Sequence, residues 1–191
     1  MGKEYFYFYH MYNYTWRCER SVEIPIVWDF VSKSNGSVLE VGNVLSHYFP
    51  VSHEIVDKYE KGHGVINKDI IDFKPNKKYD LIVSISTIEH IGDDEEPRNP
   101  DKILKVLGHL KSLSSNKGKI VLTFPLNYNK DLDKFIKKGE IKFDELYFLK
   151  RSSRNEWVET DMKDAFTKKY GKEFYGANAV GIGILKNGYN N

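Results

Sequence analysis

The run Tyr79-Asp80-Leu81-Ile82-Val83-Ser84-Ile85 is apolar at consecutive positions rather than at alternate ones. A strand of that kind must be covered on both faces, which means the interior of a largely parallel sheet. Comparable short runs occur at residues 37–41, closed by Gly42, at residues 54–57, and at residues 64–66 with Asp69 and Ile70. Another, residues 119–124, follows a turn at 116–118 and is stopped by Pro125. Segments of helical period separate them. Residues 24–31 read as the end of an N-terminal helix, with Pro25 suited to its first turn. Residues 101–113 carry an apolar stripe of Ile103, Leu104, Val106, Leu107, Leu110 and Leu113, with Asn99 or Asp101 available as the cap. Beyond residue 126 we expect a helix at 131–138, a strand at 146–150, a helix at 161–170 and a last strand at 180–185. The last two strands would form an antiparallel edge. The expected class is α/β: a Rossmann-like doubly wound, mostly parallel sheet with an antiparallel edge strand and helices on both faces.

The length suits a single domain over residues 1–191, divided into an N-terminal aromatic cap and helix (1–35), a ligand-binding core (36–126) and the C-terminal part of the sheet (127–191). Hydrophobic residues at 40% allow a real core, and 29 basic against 27 acidic side chains leave a formal charge of +2. That balance argues against nucleic acid as a partner. The lone Cys18 excludes an internal disulfide and fits a reducing compartment. Without an apolar run of about 20 residues, and with no secretory signal in Met1-Gly2-Lys3-Glu4-Tyr5, the expected location is the cytoplasm, with no membrane attachment. Aromatic residues crowd positions 5–16, either as a strap over the core or as a lid over a pocket.

The chemistry is suggested by what stands at successive strand ends. Glu40-Val41-Gly42 closes the first strand, Asp57 the second and Asp69 with Ile70 the third, and Ser84-Ile85-Ser86-Thr87-Ile88-Glu89-His90 leaves the fourth. In a doubly wound sheet these carboxyl ends share one edge, where ligands bind. Glycine there lets the backbone turn sharply beside a ligand. An acid ending the second strand is placed for ribose hydroxyls, and one near the third for an exocyclic amine. The full glycine cradle for a pyrophosphate is missing, which weakens a nicotinamide reading.

These motifs resemble those of the class I S-adenosylmethionine-dependent methyltransferases. The resemblance covers residues 37–125 and rests on Val38-Leu39-Glu40-Val41-Gly42, Ile55-Val56-Asp57, Asp69-Ile70, the fourth strand running into Ile88-Glu89-His90-Ile91, and Gly118 leading into the fifth strand. It implies S-adenosylmethionine as cofactor, S-adenosylhomocysteine as product and a small or medium-sized acceptor methylated on oxygen or nitrogen. By the same resemblance Glu40, Gly42, Ser84, Ile85 and Ser86 surround the methionine part, Asp57 the ribose, and Asp69 and Ile70 the adenine, with Asn43 and Lys58 also among the cofactor-binding residues. The loop after the first strand departs from the family, with Val44 at a position where a further glycine is common. That departure keeps a non-catalytic nucleoside-binding protein in view beside the enzyme, and RNA remains a third, less favoured acceptor class.

Tyr14, Trp16, Arg17 and Arg20 are the candidate acceptor-binding residues, since the segment ahead of the first strand commonly folds over the crevice in this fold. The alternative is an amphipathic helix with solvated charges, Arg20 pairing with Glu23. His90, with Glu89, is the candidate catalytic pair: transfer to a hydroxyl requires removal of its proton, and an ordinary histidine titrates in the right range. No metal site is expected, because Ser86 stands where related sequences with a metal carry an acid.

Overall fold

The computed structural model describes residues 1–188. Its centre is a sheet of eight strands: β1 (Val38–Val41), β2 (Glu54–Asp57), β3 (Val65–Asn67), β4 (Tyr79–Ile85), β5 (Ser114–Pro125), β6 (Glu145–Arg151), β7 (Trp157–Thr160) and β8 (Ala179–Lys186). The spatial order is β3-β2-β1-β4-β5-β8-β6-β7. The first five strands are mutually parallel. β8 runs antiparallel to β5 and to β6, and β7 antiparallel to β6. The expected antiparallel edge is therefore present: β6 and β8 pair antiparallel on that side of the sheet, and β7 extends it by one more strand. The outer edge is β7, a strand that the periodicity of the sequence does not announce.

Burial on both faces of β4 is literal. Leu81, Val83 and Ile85 join Ile24 and Val27 of helix α1 (Arg20–Ser32) on one side. Ile82 lies in the opposite cluster with Ile103, Val106, Leu107, Leu110 and Leu113 of helix α2 (Lys102–Leu113) and with Leu132, Phe135 and Ile136 of α3 (Lys130–Lys137). Each fully buried aliphatic side chain contributes about 1.5–3 kcal/mol, which is why consecutive apolar positions survive only in this layer. The β1–β2 crossover contains a single 3-10 turn, Leu45–His47, rather than an α-helix. The face it leaves bare is covered by Phe8, Trp28, Tyr48 and Phe49. Phe8 meets Tyr48 and Phe49 at ring-centroid distances of 5.4 Å, and Trp28 stacks on Phe49 at 4.0 Å. Phe8 is thus the pin of the N-terminal strap, whereas Phe6 stays 98% exposed.

Several local expectations are corrected. α1 begins at Arg20, so Pro25 sits inside the helix rather than in its first turn. A proline has no N–H for the carbonyl four residues back, and the Ser21 carbonyl instead accepts the Phe8 N–H at 2.9 Å. Asp69 is not in β3 but accepts the Ile71 N–H across the start of the 3-10 turn Ile70–Asp72. Neither Asn99 nor Asp101 caps α2 through its side chain; the Asn99 carbonyl receives the Lys102 N–H. The turn at 116–118 lies within β5, where pairing with β4 is irregular. Only Met162–Ala165 of the expected helix at 161–170 is helical (α4), and turns follow. The last strand stands where it was expected, while the final three residues of the sequence lie outside the described ones.

Candidate functional site

The carboxyl ends of β1, β2 and β4 open onto a crevice of about 390 Å³. Gly42 forms its floor in a left-handed conformation, φ 88°, and a Cβ there would overlap the Thr87 side chain. Only glycine suits both conditions. Glu40 explains the rigidity of the loop that follows. Its carboxylate is fully buried, with Oε1 accepting the Val44 and Leu45 N–H groups at 2.8 Å and Oε2 meeting His53 Nε2 at 2.7 Å.

Asp57 lines the crevice with three of its acceptor directions occupied. Oδ1 takes the Tyr59 and Glu60 N–H groups at 2.8 and 2.7 Å, and Oδ2 takes the Asn43 N–H at 3.0 Å. A carboxylate offers about four such directions, so one remains for a ligand hydroxyl. Asn43 also lines the crevice, its amide donating to Glu60 Oε1 at 2.7 Å. At the far end Asp69 and Glu95 meet Lys58 and Lys102 in a four-charge cluster, with Nζ–O distances of 2.6–3.1 Å. Burial works to raise the Asp69 carboxyl, but the Lys102 ammonium, the Ile71 N–H and Lys58 together hold it below the usual range. Glu95 is lowered in the same way, its burial outweighed by the two lysines.

Of the expected cofactor residues, the crevice gathers Gly42, Asn43, Asp57, Lys58, Asp69, Ile70 and Ser86. Glu40, Ser84 and Ile85 do not reach it. Glu40 is turned to the loop backbone, Ser84 donates to the Val41 carbonyl at 2.9 Å, and Ile85 is packed in the core with Val83 and Val121.

His90 stands at the mouth of the crevice, but Glu89 does not line it. His90 Nδ1 is 2.5 Å from Asp94 Oδ2, and Tyr128, directly after β5, donates to the same oxygen at 3.0 Å. Burial and its bond to Asp94 raise the Tyr128 phenol. For Asp94 the hydrogen bonds from His90 and Tyr128 outweigh burial, leaving the carboxyl lower than usual. Glu89 lies behind, 1% exposed, with Oε2 unpartnered among the described residues and Oε1 3.6 Å from His90 Nε2. Burial pushes its pKa well up, and the nearby Glu23 adds to the effect. Glu23 is also fully buried and raised by desolvation against the pull of Arg20. It accepts from Arg20 at 3.0 Å, the expected helical pair, and from Ser86 Oγ at 2.6 Å, with Ser86 in a left-handed conformation of φ 37°.

A second, larger hollow of about 770 Å³ lies against the first, and Arg20 lines both. Tyr14 and Arg17 line the second hollow as well, together with Tyr170 and Tyr175, which were not among the expected site residues. Trp16 does not; it faces a separate surface groove with Tyr9, His10 and Met11. Among the described residues no group of three or more His, Cys, Asp or Glu side chains could hold a metal ion, and no helix is long and apolar enough to cross a membrane. Tyr128 could have been found from sequence, since it leaves β5 at the same sheet edge. Tyr170 and Tyr175 gave no such signal: Tyr170 ends the segment that reads as helix, and Tyr175 lies in the stretch between that segment and the last strand, where no element was expected.

Comparison with known proteins supports the architecture. No family model matches the sequence, and no curated protein matches it. Among solved structures, the N-methyltransferase NodS from Bradyrhizobium japonicum WM9 in complex with S-adenosyl-L-homocysteine aligns with a TM-score of 0.52 at 12% identity, over 88% of this chain and 87% of that one. A SAM-dependent methyltransferase from Archaeoglobus fulgidus aligns with a TM-score of 0.52 at 14% identity, over 84% of this chain and 91% of that one. The chain has the fold of the class I S-adenosylmethionine-dependent methyltransferases.

Proposed function

We propose that this chain is a methyltransferase that binds S-adenosylmethionine in the crevice, releases S-adenosylhomocysteine, and methylates oxygen or nitrogen of a small or medium-sized acceptor. The observation that carries the reading is Gly42, where positive φ and the contact with Thr87 bring bare backbone to the crevice floor at the end of the first strand. The residues fit such a group. The volume lies within the roughly 300–1,000 Å³ of small-molecule sites, Asp57 retains an acceptor direction for a ribose hydroxyl, and Ile70 offers an apolar surface near the third strand. NodS was crystallised with S-adenosyl-L-homocysteine, which agrees with this choice of ligand.

When bound, the sulfonium supplies a methyl group already reactive toward nucleophiles, so the protein's contribution is alignment and exclusion of water. Arg20 stands between the two hollows, held by Glu23 and by the Ile85 carbonyl at 3.2 Å, and separates donor from acceptor. His90 takes the acceptor's proton. Asp94 and Tyr128 fix the Nδ1 side of the ring and leave Nε2 as the base. The expected acceptor residues Tyr14, Arg17 and Arg20 keep that role, and Trp16 is left out of it.

Isothermal titration of S-adenosylhomocysteine tests the cofactor site. One equivalent should bind, and Asp57→Ala should weaken binding at least about tenfold, or 1.4 kcal/mol; no binding to the wild type ends the reading. His90→Ala, assayed on an acceptor found by screening for transfer of labelled methyl, should lower kcat by about 10²–10⁴ with cofactor affinity intact. The rival reading, a non-catalytic nucleoside-binding protein, draws on Val44 standing in the loop after β1 where a further glycine is common. Turnover with any acceptor eliminates it.

A further inference from the structure

The hollow beside the crevice has an uneven balance of charge. Arg20 is paired with Glu23 at 3.0 Å. Glu19, whose Oε2 accepts the Ala177 N–H at 2.8 Å, is the acid that acts on the buried Arg151 guanidinium. Arg17 has no carboxylate partner among the described residues; its one contact is the Tyr175 ring, 5.9 Å away. One guanidinium is therefore left over, in a wall that holds three phenols, Tyr14, Tyr170 and Tyr175, beside Glu19 and the paired Arg20.

This wall is built rather than incidental. Arg151, only 1% exposed, donates through one nitrogen to the Arg17 and Tyr175 carbonyls, both at 3.1 Å, and so ties the two lips of the hollow together. Asn13 and Tyr14 hold consecutive left-handed conformations, φ 55° and 43°. For residues with a Cβ this conformation costs on the order of 1–3 kcal/mol each, and such strain concentrates at ligand clamps. Tyr170 leans on Tyr128 at 5.1 Å, and Tyr128 on His90 at 4.9 Å, so the aromatic wall continues to the base at the mouth of the crevice.

We infer that the hollow binds a planar aromatic carboxylate, its ring among Tyr14, Tyr170 and Tyr175, its carboxylate on Arg17, and its nucleophile toward His90. A guanidinium fork matches a carboxylate in two parallel hydrogen bonds, and tyrosine faces add stacking contact. One unpaired positive charge balances a monoanion. The inference rests on the reading that methyl transfer takes place at the adjoining crevice, and it names the acceptor class.

The test is isothermal titration on the full chain saturated with S-adenosylhomocysteine, using 4-hydroxybenzoate, its neutral counterpart 4-hydroxybenzamide, and tyramine. The acid should bind at least about tenfold more tightly than the amide, and tyramine more weakly than either. Arg17→Gln should erase the preference for acid over amide. Arg17→Lys should keep part of it, because lysine retains the charge without the fork. Tyr175→Ala should weaken acid and amide alike. Arg17 and Tyr175 are exposed, so these variants keep the fold, and unchanged cofactor affinity verifies that. Equal affinity for acid and amide, no saturable binding of any probe, or a preference that survives in Arg17→Gln would overturn the inference. If S-adenosylhomocysteine itself fails to bind the wild type, the methyltransferase reading falls, while the same probes titrated without it still decide the carboxylate site.

Discussion

The crevice has two sides made in opposite ways. On the β1 and β2 side, Glu40 accepts two N–H groups of the loop after β1 and meets His53, Asp57 accepts N–H groups from the loops after both strands, and Asn43 is held at both its backbone and its amide. On the β4 and β5 side, Glu89 Oε2 is buried without a partner among the described residues, Ser86 is strained, and Glu23 and Glu89 are pushed toward their neutral forms by burial. A buried unsatisfied polar group costs about 1–3 kcal/mol. The first side therefore fixes a shape, and the second keeps polar capacity in reserve where the proposed proton transfer takes place.

The sharpest way to break this contrast is Glu40→Ala. It strands two N–H groups and a buried histidine, and should cost about 3–5 kcal/mol in urea unfolding; a loss below about 1 kcal/mol would mean the loop is not held by this carboxylate. Gly42→Ala comes next, combining left-handed strain of about 1–3 kcal/mol with the clash at Thr87. S-adenosylhomocysteine affinity measured by titration should fall at least about tenfold. Glu89→Gln tests the other side through pH. Because folding raises the Glu89 pKa above its ordinary 4.5, the folded protein holds that proton more tightly than the unfolded chain. Its contribution is therefore complete below pH 4.5 and lost as the pH rises through the folded value. The glutamine variant should flatten that decline in unfolding measured across the weakly acidic to neutral range, whereas a curve parallel to the wild type would show that Glu89 contributes nothing to it. Smallest is Lys58→Met in the four-charge cluster. Its side chain is 35% exposed, so the stability change should stay within about 1 kcal/mol.

The same contrast explains what could be read from the sequence. β4 and α2 were legible because consecutive or helically spaced apolar residues have one economical burial, and Gly42 and Asp57 because strand ends share an edge in such a sheet. Glu40 and Ser84 were misplaced for a physical reason: an acid or hydroxyl at a strand end can turn to the ligand or back to its own loop, and sequence does not distinguish the two. Residues 167–176 were hidden because their turns bring Tyr170 and Tyr175 to the hollow through tertiary contacts such as those of Arg151, which leave no periodic trace.

Pro25 gives the strap a property that its own aromatic side chains do not. A helix normally consumes its carbonyls internally, but here an imino acid reserves one of them, on Ser21, for the amide of Phe8. The socket exists only once α1 has wound, so this docking point for Phe8 is absent from the unfolded chain. In hydrogen exchange the Phe8 amide would then report on α1, protected for as long as the helix stays wound, whereas the His10 amide, bonded to Thr15 Oγ1, would report on the strap itself. An alanine at position 25 would restore a competing donor, and helix and strap would contest a single oxygen.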